Sequence, residues 1–217
     1  MENSQNNNRM VLLLIAGIPL IMILAATWLW YFVVRGDLDL VGALGTANSG
    51  MLIQPPRQID DETILNQAGV PYPYVEHTPS QWTMLIPGGP RCAAACERQL
   101  YLTRQIHLGI GKDFNRLRRM YASESTVADT RLALDSLSDE SAVPDSFDDL
   151  LASEHRGTEA VRLPAGAAGR LFPEWKADPS TWYLVDPRGW IMMSYDAGVS
   201  YKDVIGDLKF LLKNSSS

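Results

Sequence analysis

The only two cysteines of the chain, Cys92 and Cys96, are separated by three alanines and follow a Gly-Gly-Pro-Arg turn in the stretch MLIPGGPRCAAACERQLYLTRQIHLG. The run after them is rich in helix formers, so Cys92 is expected at or just before a helix start. There, unpaired backbone N–H groups, the positive end of the dipole and neighbouring Arg91 all favour a thiolate. This makes Cys92 the expected attacking thiol. Cys96, about one turn further on, lies on the same side, where it can resolve a mixed disulfide or supply a second sulfur to a soft metal. Two thiolates suit Cu(I) and also accept zinc. So short a loop removes little unfolded-state entropy, which weakens the reading of the pair as a structural staple.

No other side chain completes a metal site from sequence alone. His107 follows on the same helix about 16 Å along its axis from Cys96, too far for shared coordination. His77 and His155 are expected as exposed polar residues, the latter within an acidic stretch. Met192 and Met193 alternate along a strand, one facing in and one out, with packing as their role. Trp82, Trp182 and Trp190 are expected as core or sheet-surface aromatics.

The chain has 217 residues, with 25 acidic and 19 basic side chains and no Lys/Arg run, which speaks against a nucleic-acid partner. From Met10 to Val34 runs a stretch of 25 residues without a charge, long enough as a helix to cross about 30 Å of hydrocarbon, with Trp28, Trp30 and Tyr31 at its C-terminal end as an aromatic belt. A cleaved signal peptide would have a shorter apolar core. Arg9 and Arg35 flank the span evenly, and the free amino terminus tips the orientation toward a cytoplasmic tail and an exported C-terminal part. Residues 1–9 are thus read as a cytoplasmic tail, 10–34 as a transmembrane anchor, 35–58 as a linker with an extended proline-containing lead-in, and 59–217 as one globular domain. In the exported compartment a cysteine pair either persists as a disulfide or is held reduced for a purpose.

Within that domain, Trp82–Pro87 reads as a buried strand stopped at Gly88-Gly89-Pro90, and Ala93–Leu108 as a helix with Leu100, Ile106 and Leu108 on its apolar side. RLRRMYAS, 116–123, reads as a strand weakened by its arginines. The acidic segment Thr126–Arg156 carries helical stretches broken at Pro144 and is poorly defined. Ser180–Asp186 and Trp190–Asp196 form a hairpin around PRG, and Val204, Ile205, Leu208, Leu211 and Leu212 mark a final helix that covers one sheet face.

Strand, cysteine turn, helix, strand, insert, hairpin and helix follow the order of the thioredoxin-like fold: an α/β domain with a central mixed sheet flanked by helices, here with one N-terminal transmembrane helix. The lead-in GMLIQPPR, the strand before CAAAC, the pair itself, YLVDPRG and the terminal DLKFLLK together resemble the Sco/SenC family over about residues 45–217. That resemblance implies a membrane-anchored periplasmic or intermembrane-space protein that matures the copper centre of cytochrome c oxidase. It also implies a copper-ligand histidine five positions before the tyrosine of the YL strand. Here that position is Asp178, and the adjacent Pro179 is a candidate for the cis-proline loop that faces the cysteines in thioredoxins.

Three functions are compatible with these features. The first is a thiol-disulfide oxidoreductase that keeps the copper-site cysteines of oxidase subunit II reduced. The second is a metallochaperone holding Cu(I) through Cys92 and Cys96 with altered third ligation, although a hard carboxylate such as Asp178 is a poor Cu(I) ligand. The third is a membrane-tethered assembly scaffold with a passive disulfide. Partners are accordingly the membrane and subunit II or other oxidase assembly factors.

Overall fold

The computed structural model describes residues 2–35, 48–77 and 80–215. It separates into two units, Met1–Ala47 and Asn48–Ser217. The first contains helix α1, Glu2–Arg35. Pro19 lies inside it, and Thr27 Oγ1 donates to the Ile23 carbonyl at 2.8 Å. Side chains of α1 are described at 14–28, 30 and 31, and the large apolar ones, including every residue from Leu20 to Leu24, are exposed. Among the described residues no helix is long and apolar enough to cross a membrane. The span expected at 10–34 reaches beyond those side chains at both ends, and the Gly/Ala tether at 42–47 lies outside the described residues.

Among the described residues the second unit holds nine strands. In chain order its elements are β1 (Met51–Gln58), β2 (Leu65–Asn66), α2 (Tyr74–His77), β3 (Trp82–Gly88), β4 (Arg91–Cys92), α3 (Ala94–Gly109), β5 (Leu117–Ser123) and β6 (Arg131–Leu132). They continue with α4 (Phe147–Ser153), β7 (Thr158–Arg162), α5 (Ala167–Leu171), α6 (Pro173–Ala177), β8 (Trp182–Val185), β9 (Trp190–Tyr195) and α7 (Tyr201–Asn214). Seven strands form one mixed sheet in the order β1-β9-β8-β3-β5-β7-β2, while β4 and β6 pair separately. Strands β3, β5 and β7 run parallel, and β8 and β9 form the expected antiparallel hairpin against β3. This is a thioredoxin-like α/β fold, with β3, α3 and β5 followed by β8, β9 and α7 as its frame.

Side-chain alternation divides the core between the two sheet faces. Leu85, Tyr183 and Val185 point into one layer with Phe172, Ile59 and Ile191. Met84, Trp182 and Leu184 point into the other, closed by Ile106 of α3 and by Val204, Leu208 and Leu212 of α7. The terminal helix thus covers a sheet face as its spacing indicates, capped by Ser200 Oγ, which accepts from Asp203 N. On α3, Leu100 and Ile106 are buried, but Leu108 is exposed.

Several expectations change. The lead-in 51–58 is an edge strand of the domain, paired antiparallel with β9, so the folded unit begins at Asn48 and not at residue 59. Pro55 and Pro56 fall where the β1–β9 register shifts, the place a strand tolerates residues without N–H groups. The arginine-bearing segment is a central strand. Arg118 reaches Tyr72 Oη at 3.0 Å and Glu159 at 3.2 Å, while buried Arg119 donates to Thr158 Oγ1, so each guanidinium finds partners beyond its own strand. Met192 and Met193 do not split between inside and outside. The β8–β9 register slips beside them, with Leu184 opposite Met193 and Val185 opposite Ile191, and both methionines pack on the same core layer.

Candidate thiol site

Helix α3 begins between the two cysteines because Gly88-Gly89-Pro90 ends β3 and the alanines propagate the helix. Gly88 is required by its surroundings: a Cβ there would lie 1.9 Å from Tyr121 Oη. Cys92 and Cys96 form a disulfide, with Cα atoms 5.2 Å apart. Cys92 precedes the N-cap, Ala93, and Cys96 is the third helical residue. Alanine supplies no capping oxygen, so the first-turn N–H groups have no side-chain cap and are oriented to favour negative charge on sulfur.

The acidic segment that sequence left undefined encloses this turn. Strand β6 pairs in parallel with β4, placing Arg131 opposite Arg91 and Leu132 opposite Cys92. Ala133 N donates to the Cys92 carbonyl at 2.9 Å, and Arg131 N to the Pro90 carbonyl at 3.0 Å. Cys92 is fully buried among Ile86, Leu100, Tyr121, Phe147 and Leu150, whereas Cys96 is only partly buried at the margin of that cluster. One residue beyond Cys96, buried Glu97 accepts from Ser138 N at 3.0 Å and from Ser138 Oγ, fixing the insert to the helix. Arg104, two turns on, adds Glu154 at 3.2 Å and Asp139 at 3.3 Å. These clamps escaped sequence reasoning because Glu97 and Arg104 look like ordinary solvated helix residues until the insert is placed on them.

Asp178 is exposed, and its carboxylate accepts from Ser180 N at 2.9 Å and Ser180 Oγ at 2.7 Å, which holds its pKa below the usual carboxylate range. Thr181 N donates to the Asp178 carbonyl, closing a β-turn with Pro179 at its second position, where a trans proline supplies the needed φ. The cis-proline expectation is therefore corrected: among the described residues the cis peptide bond is Gln54–Pro55. The turn is nevertheless tied to the cysteine helix. Gln99 Nε2, one turn beyond Cys96, donates to the carbonyls of Pro179 at 2.6 Å and Thr181 at 3.0 Å.

The histidines supply no ligand to the pair. His107 stacks on Phe114 at 3.9 Å and bonds its carbonyl, and His77 stacks on Tyr72 at 4.1 Å. His155 is buried, not exposed as expected, and burial followed by repulsion from Arg119 and Arg104 pushes its pKa down to about 3. Among the described residues no cluster of three His, Cys, Asp or Glu side chains is arranged to hold a metal ion. The donor set is two sulfurs bonded to each other plus a carboxylate engaged by Ser180, which does not fit a three-ligand Cu(I) centre.

The sequence matches the family described as transmembrane-like, thioredoxin-like, C-terminal domain over residues 82–163 and 135–215, together more than half of the chain. The protein belongs to that family. No curated protein matches it. Among solved structures, yeast Sco1 is similar with a TM-score of 0.51 and 11% identity over 80% of this chain and 99% of that one. Copper-bound ScoI of Bradyrhizobium japonicum gives 0.44 and 15% over 71% and 96%. BsSco, a member of the Sco family of cytochrome c oxidase assembly proteins, gives 0.46 and 14% over 79% and 99%. The yeast structure is the one of these three above 0.5, and at its identity it establishes a shared Sco-like fold.

Proposed function

We propose that this protein is a membrane-tethered thiol-disulfide oxidoreductase of an exported compartment that assists cytochrome c oxidase biogenesis by keeping the copper-site cysteines of subunit II reduced. The observation that carries the thiol chemistry is the Cys92–Cys96 bond itself, closed at the uncapped start of α3. Asp178, at the position where the Sco/SenC resemblance implies a copper-ligand histidine, is spent on Ser180, which favours electron exchange over metal holding. The oxidase as client rests on that sequence resemblance. The tether rests on α1, whose exposed apolar side chains surround the helix and suit a hydrocarbon solvent better than water. Arg9 and Arg35 flank the apolar stretch evenly, and the free amino terminus favours a cytoplasmic tail with residues 48–217 in the periplasm.

The test replaces the chain by Cys92→Ser or Cys96→Ser in its own cells and reads the thiol state of subunit II. The account expects the copper-site cysteines to accumulate oxidised, oxidase activity to fall severalfold, and an added dithiol reductant to restore it. Reduced cysteines at a copper-free site would instead identify metal delivery as the lost step, and unchanged oxidase would leave only a scaffold.

A further inference from the structure

The burial of the two sulfurs is unequal, and the inequality has a structural cause. Cys92 has no solvent-accessible surface: β6 pairs with its backbone, and its side chain lies in the buried cluster that Phe147 and Leu150 of the insert share. Cys96 lies at the margin of the same cluster and retains exposure. An entering thiolate must reach the sulfur it attacks, so accessibility selects the site of exchange. We infer that thiol exchange enters and leaves this protein through Cys96, with Cys92 as the enclosed partner sulfur, the reverse of the order expected from position before the helix.

This assignment rests on the thiol-exchange reading above but not on the identity of the client. In the reducing direction the Cys96 thiolate attacks one sulfur of a client disulfide, forming a Cys96–client bond and releasing the other client sulfur as a thiolate. The Cys92 thiolate then attacks Cys96 Sγ, the Cys92–Cys96 bond forms, and the second client sulfur leaves as a thiolate. Two electrons pass to the client, and a dithiol donor returns two to the pair by the reverse route, again through Cys96. The first-turn N–H groups of α3 stabilise the attacking thiolate, because Cys96 belongs to that turn and Ala93 leaves it without a side-chain cap.

Glutathione is the probe. The oxidised full chain in detergent is incubated with reduced glutathione, acid-quenched and mapped by peptide mass, and the adduct is expected on Cys96 with a free thiol at Cys92. In parallel, reduced Cys92→Ser and Cys96→Ser chains, verified as folded by circular dichroism, react with glutathione disulfide. The chain keeping Cys96 is expected to react at least about tenfold faster, with the two rates converging in denaturant. An adduct on Cys92, or equal rates in the folded variants, overturns the inference and leaves thiol exchange standing. A folded chain that exchanges at neither sulfur overturns both.

Discussion

Ala93 is an unfavourable N-cap at a position where serine or aspartate would stabilise the helix by about 1 kcal/mol. Its absence of a side-chain oxygen leaves the first-turn amides to the sulfurs. Ala93→Ser is therefore expected to stabilise the domain by about 1 kcal/mol while making the Cys96 thiolate less favourable, since the new hydroxyl competes for the same N–H groups. Chemical denaturation measures the first effect, and the pH dependence of alkylation in a reduced Cys92→Ser background measures the second. A second residue-scale consequence concerns His155, buried beside Arg119 and Arg104 with its pKa at about 3. Because that value lies below the ordinary one near 6.5, the unfolded chain binds the proton first. Stability is complete above pH 6.5 and declines as pH falls toward 3, with a loss of about 2 kcal/mol already at pH 5. His155→Leu is expected to flatten that slope in denaturation curves recorded from pH 7.5 to 5; an unchanged slope would assign the acid sensitivity to other groups.

Among the elements, the insert between β5 and β7 governs the site, through β6 along the cysteine turn and Ser138 on Glu97. Removing the Glu97 carboxylate leaves two Ser138 donors without an acceptor, at a cost of about 1.5–3 kcal/mol for a charged bond. In a reduced Cys96→Ser background, Glu97→Ala is expected to speed alkylation of Cys92, and a rate unchanged by the substitution would show that the insert does not enclose this sulfur. The insert was only partly legible in the sequence: Phe147, Leu150 and Leu151 recur at helical spacing in α4, but the course of the rest follows polar clamps to α3 and the two-residue β6. Weak hydrophobic patterning hid β7, whose TEAVR pattern has one fully buried residue, Val161. β3 and the β8–β9 hairpin were legible because branched and aromatic residues bury both of their faces. The cysteine turn was legible as chemistry, but the relative exposure of its sulfurs depends on a segment some forty residues away in the chain.

At the scale of the whole molecule, the chain enters its folded unit at a buried carboxylate. Asp207 of α7 accepts from Ser49 N at 2.9 Å, Gly50 N at 3.0 Å and Tyr195 Oη at 3.2 Å, which joins the start of β1 to the last helix and strand. Asp207→Ala strands these three donors and is expected to cost about 3 kcal/mol in denaturant midpoint measurements, with Asp207→Asn losing less. The order of elements sufficed to indicate a thioredoxin-like frame, because each core strand and helix carries its own pattern. The start of the domain was misjudged since PPR reads as surface chain until β9 is beside it. The central claim is that this frame supplies electrons to subunit II. It is tested most directly by mixing the reduced full chain in detergent with the copper-site domain of subunit II in its disulfide form, without metal, and counting thiols on each protein by alkylation mass. The account predicts that subunit II gains two thiols as the Cys92–Cys96 bond forms, with no transfer from a Cys92→Ser, Cys96→Ser double variant. A subunit II disulfide that persists beside a fully reduced Cys92 and Cys96 would contradict it.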